Sequence, residues 1–448
     1  MEKTAVTAVC WVPRGKCKAH PVVNAEDEDE MREAHEQLMG GASSSDGAKV
    51  STDGLEEFEL DNYDDDENDG GMQFFSVLKA DGELARHGDP HMTGDPESDS
   101  DDDDYHEIKP EDYLFVAVSC EEETCSLEMY VYDEDEANMY VHHDIMLDAY
   151  PLCVDWLPKI SGVDAGSFTA IGLIDHSIQI WDLDRLDPMT PTQTLGSAPK
   201  EKGKLKKKKA KSKAGAKPLA HDGPVLAIHG STFNRSVLAS GSGDNTVKIW
   251  DVCENACVHT YTHHSSKVQC VKWHTTEQAI MLSSSFDRRL ALMDVRQPDQ
   301  VATTELAGEA EAAVWSQHNA FECLASADNG SVVCYDVRKV ANKAPGSEQV
   351  LWNLMAHDVA CTGVQDSPAR NMLITSSLDG HAKIWNMAGG EPKLVLAKNL
   401  QAGPLFACTS SAEAPGLVSF GGNVPVVWDL TSEQLLVDVF DLGASKGS

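Results

Sequence analysis

The segment Gly243–Val252, GDNTVKIWDV, holds a polar turn, a short alternating apolar run and then Trp-Asp. The same phrase returns as FDRRLALMDVR at 286–296, DNGSVVCYDVR at 328–338, LDGHAKIWNM at 378–387 and GNVPVVWDL at 422–430. The residues at the Trp position are Trp250, Met293, Tyr335, Trp385 and Trp428, so the steps are 43, 42, 50 and 43 residues. A period of about 40–45 residues ending in Trp-Asp marks one four-stranded blade of a β-propeller. Propellers are most often docking platforms rather than reaction vessels.

Two weaker copies lie upstream. IGLIDHSIQIWDL at 171–183 ends on Trp181-Asp182, and SLEMYVYDED at 126–135 ends on Tyr132-Asp133, which makes seven strand ends of this type. Each blade needs an inner strand beside the central channel, and seven short apolar runs fit. They are VTAVCWVP at 6–13, PLCVDWLP at 151–158, PVLAIHG at 224–230, VQCVKWH at 268–274, AAVWSQH at 312–318, ACTGVQD at 360–366 and PLFACTS at 404–410. The expected fold is therefore all-β, a seven-bladed WD-repeat β-propeller. DYLFVAVS at 112–119 and MYVHHDIML at 139–147 supply further strands of blade one, and EQLLVDVF at 433–440 is expected to complete blade seven. The ring would then close without a strand shared across the seam.

That count isolates two insertions. Residues 4–12 form the first inner strand, residues 13–111 leave blade one, and residues 112–443 supply the rest of the propeller, with 187–219 as a Lys-rich loop. The first insertion carries EDEDE at 26–30, DDDEND at 64–69 and SDSDDDD at 98–104. Such a composition buries too little apolar surface to offset the entropy of ordering, so most of it is expected to be disordered. FFSVL at 74–78 is an apolar island within it. Of the net charge of −37, residues 26–112 hold −26 and residues 200–217 hold +9, so the remainder carries −20. An acidic propeller is a poor partner for duplex DNA.

No run of about 20 apolar residues exists, so no membrane-spanning helix is expected. The opening MEKTAVTAVCWVPRGK lacks the basic-then-apolar layout of a secretory leader. The twelve Cys form no paired C-x-x-C sets, which fits a reducing compartment rather than a disulfide framework.

His221, Ser240 or Ser242, Asp244 and Trp250 recur in blade six as His357, Ser377, Asp379 and Trp385. Blade four offers His264, Ser285 and Asp287, with Met293 in place of Trp. Ser, His and Asp out of context resemble a hydrolase triad. Recurrence once per blade at fixed offsets from Trp points instead to a buried chain of hydrogen bonds inside each blade. Cys253 and Cys257 beside His259, His263 and His264 imitate a zinc set, but no second Cys pair completes four ligands. No catalytic residue, metal or cofactor is expected.

In the Lys-rich loop, Lys204, Lys206, Lys207, Lys208, Lys209, Lys211 and Lys213 form a point-charge patch suited to an importin, with RNA phosphates as a secondary partner. Ser98 and Ser100 precede acidic residues in the manner of acid-directed phosphorylation sites.

YVHHDIMLDAYPLCVDWLP at 140–158, IQIWDLD at 178–184, VLASGSGDNTVKIWD at 237–251 and the opening TAVCWVPRGKCKAHP at 7–21 together resemble the periodic tryptophan protein one family. The resemblance spans essentially the whole chain, and the position of the acidic insertion matches as well. It implies a nuclear, largely nucleolar, non-enzymatic scaffold in ribosome biogenesis, tied to rRNA transcription or processing, pre-ribosome assembly and chromatin. The implied partners are ribosome-assembly factors, ribosomal proteins or histones, met by a monomer inside a larger complex. A second reading comes from Asp294-Val295-Arg296 and Asp336-Val337-Arg338, which are similar to the Asp-x-Arg pattern of WD-repeat substrate receptors of cullin–RING ubiquitin ligases. In that reading Arg296 and Arg338 touch the ligase adaptor.

Overall fold

A computed structural model describes residues 4–21, 107–121, 124–134, 137–163, 165–196, 220–341 and 349–442. Seven antiparallel sheets follow one another along the chain. Blade one contains β1 (Thr4–Val12), β2 (Tyr113–Glu121), β3 (Thr124–Asp133) and β4 (Asn138–Leu147). Blade two contains β5 (Pro151–Leu157), β6 (Phe168–Leu173), β7 (Ile178–Asp182) and β8 (Gln193–Leu195). Blade three runs through β9 (Val225–Gly230), β10 (Val237–Ser242), β11 (Val247–Asp251) and β12 (Ala256–Tyr261). Blade four has β13 (Val268–Trp273), β14 (Ile280–Ser285), β15 (Arg289–Asp294) and β16 (Val301–Glu305). Blade five has β17 (Ala310–Trp315), β18 (Glu322–Ala327), β19 (Ser331–Asp336), a short helix α1 (Val337–Ala341) and β20 (Val350–Met355). Blade six has β21 (Gly363–Asp366), β22 (Met372–Ser376), β23 (His381–Asn386) and β24 (Lys393–Asn399). Blade seven holds only β25 (Ala407–Ser410), β26 (Leu417–Gly421) and β27 (Pro425–Asp429) before helix α2 (Gln434–Phe440).

The third strand of a blade shows why the repeat has its form. In β11, Trp250 joins Leu238, Val252 and residues of blade two in one core, while Val247 and Ile249 join Val268, Val271 and Met293 of blade four in the next. Alternating side chains therefore enter two different inter-blade cores, and β11 is buried on both faces. Each fully buried Val, Leu or Ile contributes about 1.5–3 kcal/mol over exposure. Met293 is 1% exposed and fills the Trp site of blade four by volume alone.

Two expectations are corrected here. EQLLVDVF does not form the fourth strand of blade seven; residues 434–440 are helical. Leu436 and Phe440, four apart, both enter the core of blades six and seven, and the helix carries Asp438 out to solvent, whereas a strand would place Asp438 on their face. Asp441 ends the helix at φ 56° and donates its N–H to Val437 O. The second correction concerns cysteine: Cys120 and Cys125 form a disulfide across the β2–β3 hairpin. The register pairs these two residues directly, with Cα atoms 4.2 Å apart.

The ring closes between blades seven and one without a shared strand. Val6 N–H donates to Gly422 O at 2.7 Å, and Trp11 Nε1 donates to Thr409 O at 3.2 Å. Gly421 permits the approach, since a Cβ there would sit 2.6 Å from Val6 O. Behind the seam Trp11 lies tilted against Phe115, which stacks on Tyr130, with ring centroids 5.3 and 4.9 Å apart. Ile108 N–H donates to Ala19 O at 2.8 Å and holds together the two points where the acidic insertion leaves and rejoins blade one. Phe74 to Leu78, Ser98, Ser100 and Lys204 to Lys213 lie outside the described residues.

Candidate functional site

The His, hydroxyl and Asp groups sit where a blade needs them. In blade three, His221 Nε2 meets Ser240 Oγ at 2.7 Å and Trp250 Nε1 donates to the same oxygen at 2.8 Å. His221 Nδ1 lies 3.0 Å from Asp244 Oδ2, which also accepts the Asp222 N–H. Ser242 stands outside this relay; it donates to Gly223 O at 2.8 Å and accepts the Asp244 N–H. Burial keeps His221 below its ordinary value against the pull of Asp244. Burial also opposes the Asp244 charge, but the bonds from His221, Asp222 N–H and Thr246 outweigh it and hold the carboxyl well below the usual range.

Blade six repeats the geometry with a different hydroxyl. His357 Nε2 and Trp385 Nε1 meet Thr375 Oγ1 at 2.9 and 3.0 Å, and His357 Nδ1 is 3.4 Å from Asp379. Ser377, the expected partner, instead accepts the Asp379 N–H at 3.4 Å, because it stands beyond the end of β22 while Thr375 lies opposite Lys383 within the sheet. Blade four corrects Ser285 to Ser283: His264 Nε2 is 2.8 Å from Ser283 Oγ, whereas Ser285, at the end of β14, donates to Ser266 O and accepts the Asp287 N–H. Met293 has no N–H to offer that oxygen, and His263 Nε2 takes the vacancy at 3.1 Å. In blade seven, Trp428 Nε1 is buried without a hydrogen-bond partner, and Lys398 Nζ sits 5.0 Å from its ring centroid.

A second tryptophan period escaped the sequence reading. Trp11, Trp156, Trp273 and Trp315 occupy equivalent places near the ends of inner strands β1, β5, β13 and β17. Trp273 Nε1 donates to His229 O at 3.1 Å and Trp315 Nε1 to Lys272 O at 3.1 Å, each reaching back to the preceding blade. The shared form of VTAVCWV and VQCVKWH was the signal for it. The residues one place earlier are polar in six of the seven inner strands, Cys10, Asp155, His229, Lys272, Gln365 and Thr409, while blade five has the buried Val314 there. Asp155 Oδ2 accepts Gly230 N–H at 2.6 Å, and Cys10 Sγ is 3.6 Å from Asp155 Oδ1. Burial raises the Asp155 carboxyl despite nearby Lys272, and burial lowers His229 well below its ordinary value.

Where β1, β5 and β9 end, Trp11, Trp156, Asp155 and His229 line a cavity of about 820 Å³, rimmed by the exposed Lys16, Lys18 and Arg235. Nothing here activates a nucleophile. Burial raises the Cys10 thiol, and Cys17 is pushed up to about 12, so both stay protonated at neutral pH. The His229 ring is already engaged, accepting the Trp273 backbone N–H on Nδ1.

The remaining expected residues are placed as follows. Arg296 Nη2 pairs with Asp294 at 2.7 Å, and Arg338 Nη2 pairs with Asp336 at 2.9 Å. Both guanidinium groups are largely exposed, and Arg338 also lies 4.5 Å over the Phe321 ring. Each Arg thus pairs with the Asp two residues before it. Cys253 donates to Ile160 O and Cys257 to His259 O, while His263 and His264 are held by Ser283 and Asp287 of blade four, so the zinc-like set is dispersed over two blades. Among the described residues no group of three His, Cys, Asp or Glu is placed to hold a metal ion.

The repeats match the model of the WD domain, G-beta repeat, at residues 216–251, 255–294 and 348–386. An uncharacterized WD repeat-containing protein of Schizosaccharomyces pombe is 31% identical over 99% of this chain and 96% of its own length. Periodic tryptophan protein 1 of Saccharomyces cerevisiae is 29% identical over 95% of this chain and 88% of its own. Its Drosophila melanogaster homolog is 28% identical over 94% and 92%. The chain belongs to the periodic tryptophan protein 1 family. Matched at near full length, these relatives cover the insertion and the propeller together, which the short repeat matches do not. In the second set of tryptophans, Trp11, Trp273 and Trp315 bond the preceding blade, an inter-blade use of Trp beside the Trp-Asp repeat, while Trp156 Nε1 donates to Ser167 Oγ within blade two.

Proposed function

We propose that this chain is a non-enzymatic WD-repeat scaffold of ribosome biogenesis that works in the nucleus and nucleolus, binding basic protein clients. The observation that carries the reading is the engagement of its polar groups. His221, Ser240, Asp244 and Trp250, like His357, Thr375, Asp379 and Trp385, are spent on one another inside the blades. What is left to the surface is loops, exposed apolar residues and charge. Residues 13–111 act as an acidic insertion that draws ribosomal proteins or histone tails by long-range attraction. The Lys-rich loop within 187–219 serves nuclear entry through an importin, and phosphorylation at Ser98 and Ser100 adds to the negative charge of the insertion.

The test is affinity for purified ribosomal proteins and core histones across a salt series, with a deletion of residues 26–104 for comparison. That deletion keeps the Ile108–Ala19 bond. The deletion is expected to weaken binding most at low salt and to flatten the salt dependence. Equal affinity and equal slope in both proteins would remove the insertion from client capture.

A further inference from the structure

Among the described residues, six blades carry four strands and blade seven carries three. Among those residues its last strand, β27, pairs with β26 alone, on one side. The consequence is visible in burial. The third strands of blades two and three, β7 and β11, are buried along four consecutive residues, whereas in β27 only Trp428 is buried and Pro425, Val426, Val427 and Asp429 are half-exposed. Helix α2 adds no strand to the sheet: its Leu436 and Phe440 enter the core that holds Trp428 and Leu430 of blade seven together with Ala369 and Met372 of blade six. Leu435 and Val439 face solvent.

Leu430 N–H donates inward to Gly416 O. Main-chain direction alternates along a strand, so Trp428 and Val426 also face β26, while Val427 presents its main-chain groups to the other edge and Asp429 O, on that same edge, already accepts Ser432 Oγ at 2.6 Å. Pro425 has no N–H and blunts the far end of that edge. At the foot of β27 lies a cavity of about 860 Å³. Glu134, Glu413, Asp429 and Asp441 line it, against the cations Arg14 and Arg370. Arg14 lies 3.5 Å over the Tyr113 ring and its backbone N–H donates to Glu413, while its Nε is buried without a hydrogen-bond partner.

We propose that the open edge of β27 is a docking site for an extended segment of a partner protein, which supplies the fourth strand of blade seven. The segment pairs antiparallel to β27, as the fourth strands of the other blades do. Its main chain bonds Val427. Running antiparallel, its amino-terminal end lies at the foot, where the excess of carboxylates selects Lys or Arg. Alternating apolar residues follow, to pack beside blades six and one. The inference deepens the scaffold reading and rests on it.

The probe is a synthetic peptide, Lys-Val-Thr-Val-Thr-Val, titrated into the full chain by fluorescence anisotropy, beside two counterparts N-methylated at alternate residues in either frame. The expected result is binding of the parent peptide, loss of at least about tenfold affinity in one methylated frame, and tolerance of the other. Hydrogen exchange at the Val427 amide is expected to slow only when peptide is bound. Val427→Pro, which deletes the outward N–H, should lose binding while its melting temperature stays near that of the parent. If that variant does not fold, the two methylation frames decide.

Equal behaviour of both frames, or no binding at millimolar peptide, would overturn the edge. Binding seen only after residues 26–104 are deleted would assign the edge to this chain's own insertion and overturn a partner strand. Nuclear proteins captured equally by the parent and a folded Val427→Pro variant would sink the edge and leave the scaffold standing. Capture of none by either would sink the scaffold itself.

Discussion

Replacing Ser240 by Ala isolates the role of the blade relay. Ser240 is fully buried, and its Oγ bridges Trp250 Nε1 and His221 Nε2 at 2.8 and 2.7 Å. His221 Nδ1 faces Asp244, so the geometry runs as Trp N–H to Ser oxygen, Ser O–H to His Nε2, and His Nδ1–H to carboxylate. Alanine leaves one donor and one acceptor unpaired in a site closed to water. Each orphaned group costs about 1–3 kcal/mol, so the variant should lose about 3 kcal/mol. For a domain above 300 residues that lowers melting by roughly 4–6 °C. Trp250→Phe removes the donor but keeps Ser240 bonded to His221, and should cost less than Ser240→Ala. The two together should cost less than their sum, since the indole N–H that Ser240→Ala strands is absent in the pair. Denaturant midpoints followed by fluorescence and circular dichroism, with scanning calorimetry, give the three values. A Ser240→Ala change within about 0.5 kcal/mol of the parent, or strict additivity with Trp250→Phe, would refute a structural relay and reopen a chemical role for these residues.

Three further outcomes follow from the same geometry. Gly330 sits at φ +81°, and a Cβ there would collide with His357 O, so Gly330→Ala should lower the unfolding free energy by about 3 kcal/mol, against about 1–2 kcal/mol for Gly390→Ala, which shares the positive φ but has open space around it. Trp11→Phe keeps an aromatic ring against Phe115 and removes the bond to Thr409 O across the seam; it should lower stability by about 1 kcal/mol and raise hydrogen exchange in β1 and β25 before other strands. Burial holds His143 and His263 at about 4, below the ordinary 6.5, in the folded chain. The unfolded chain therefore binds more protons between those limits, and stability should fall as pH drops from about 6.5 to about 4; His263→Gln should flatten that stretch of a melting-temperature profile.

The repeat was legible because the structure demands one large residue per blade at one place. Trp181, Trp250 and Trp385 each plug an inter-blade core, and that demand leaves a period any reader of the chain can see. Met293 and Tyr335 were legible as blade positions for the same reason, since volume rather than the indole is what the core requires. The partner of each His was not legible. Ser240 and Ser242, or Thr375 and Ser377, are two apart and chemically alike, and only the register against Lys248 and Lys383 tells them apart. The Cys120–Cys125 pair depends on the hairpin register in the same way. Residues 433–440 misled because Leu435, Leu436, Val437, Val439 and Phe440 satisfy a strand and a helix alike. There, Asp438 decides: a helix turns it to solvent, and a strand would bury it beside Leu436. The inner-strand tryptophans were visible as a shared phrase, but their use is a contact between blades, which no single repeat contains.

The most direct test of the scaffold reading is affinity purification of the tagged full-length chain from nuclear extract at moderate salt, read by mass spectrometry. Recovery of ribosomal proteins and pre-ribosomal factors, reduced when residues 26–104 are deleted, is the expected result. Recovery of cullin–RING components without ribosome-assembly factors would contradict it and leave the family relation as a statement about fold.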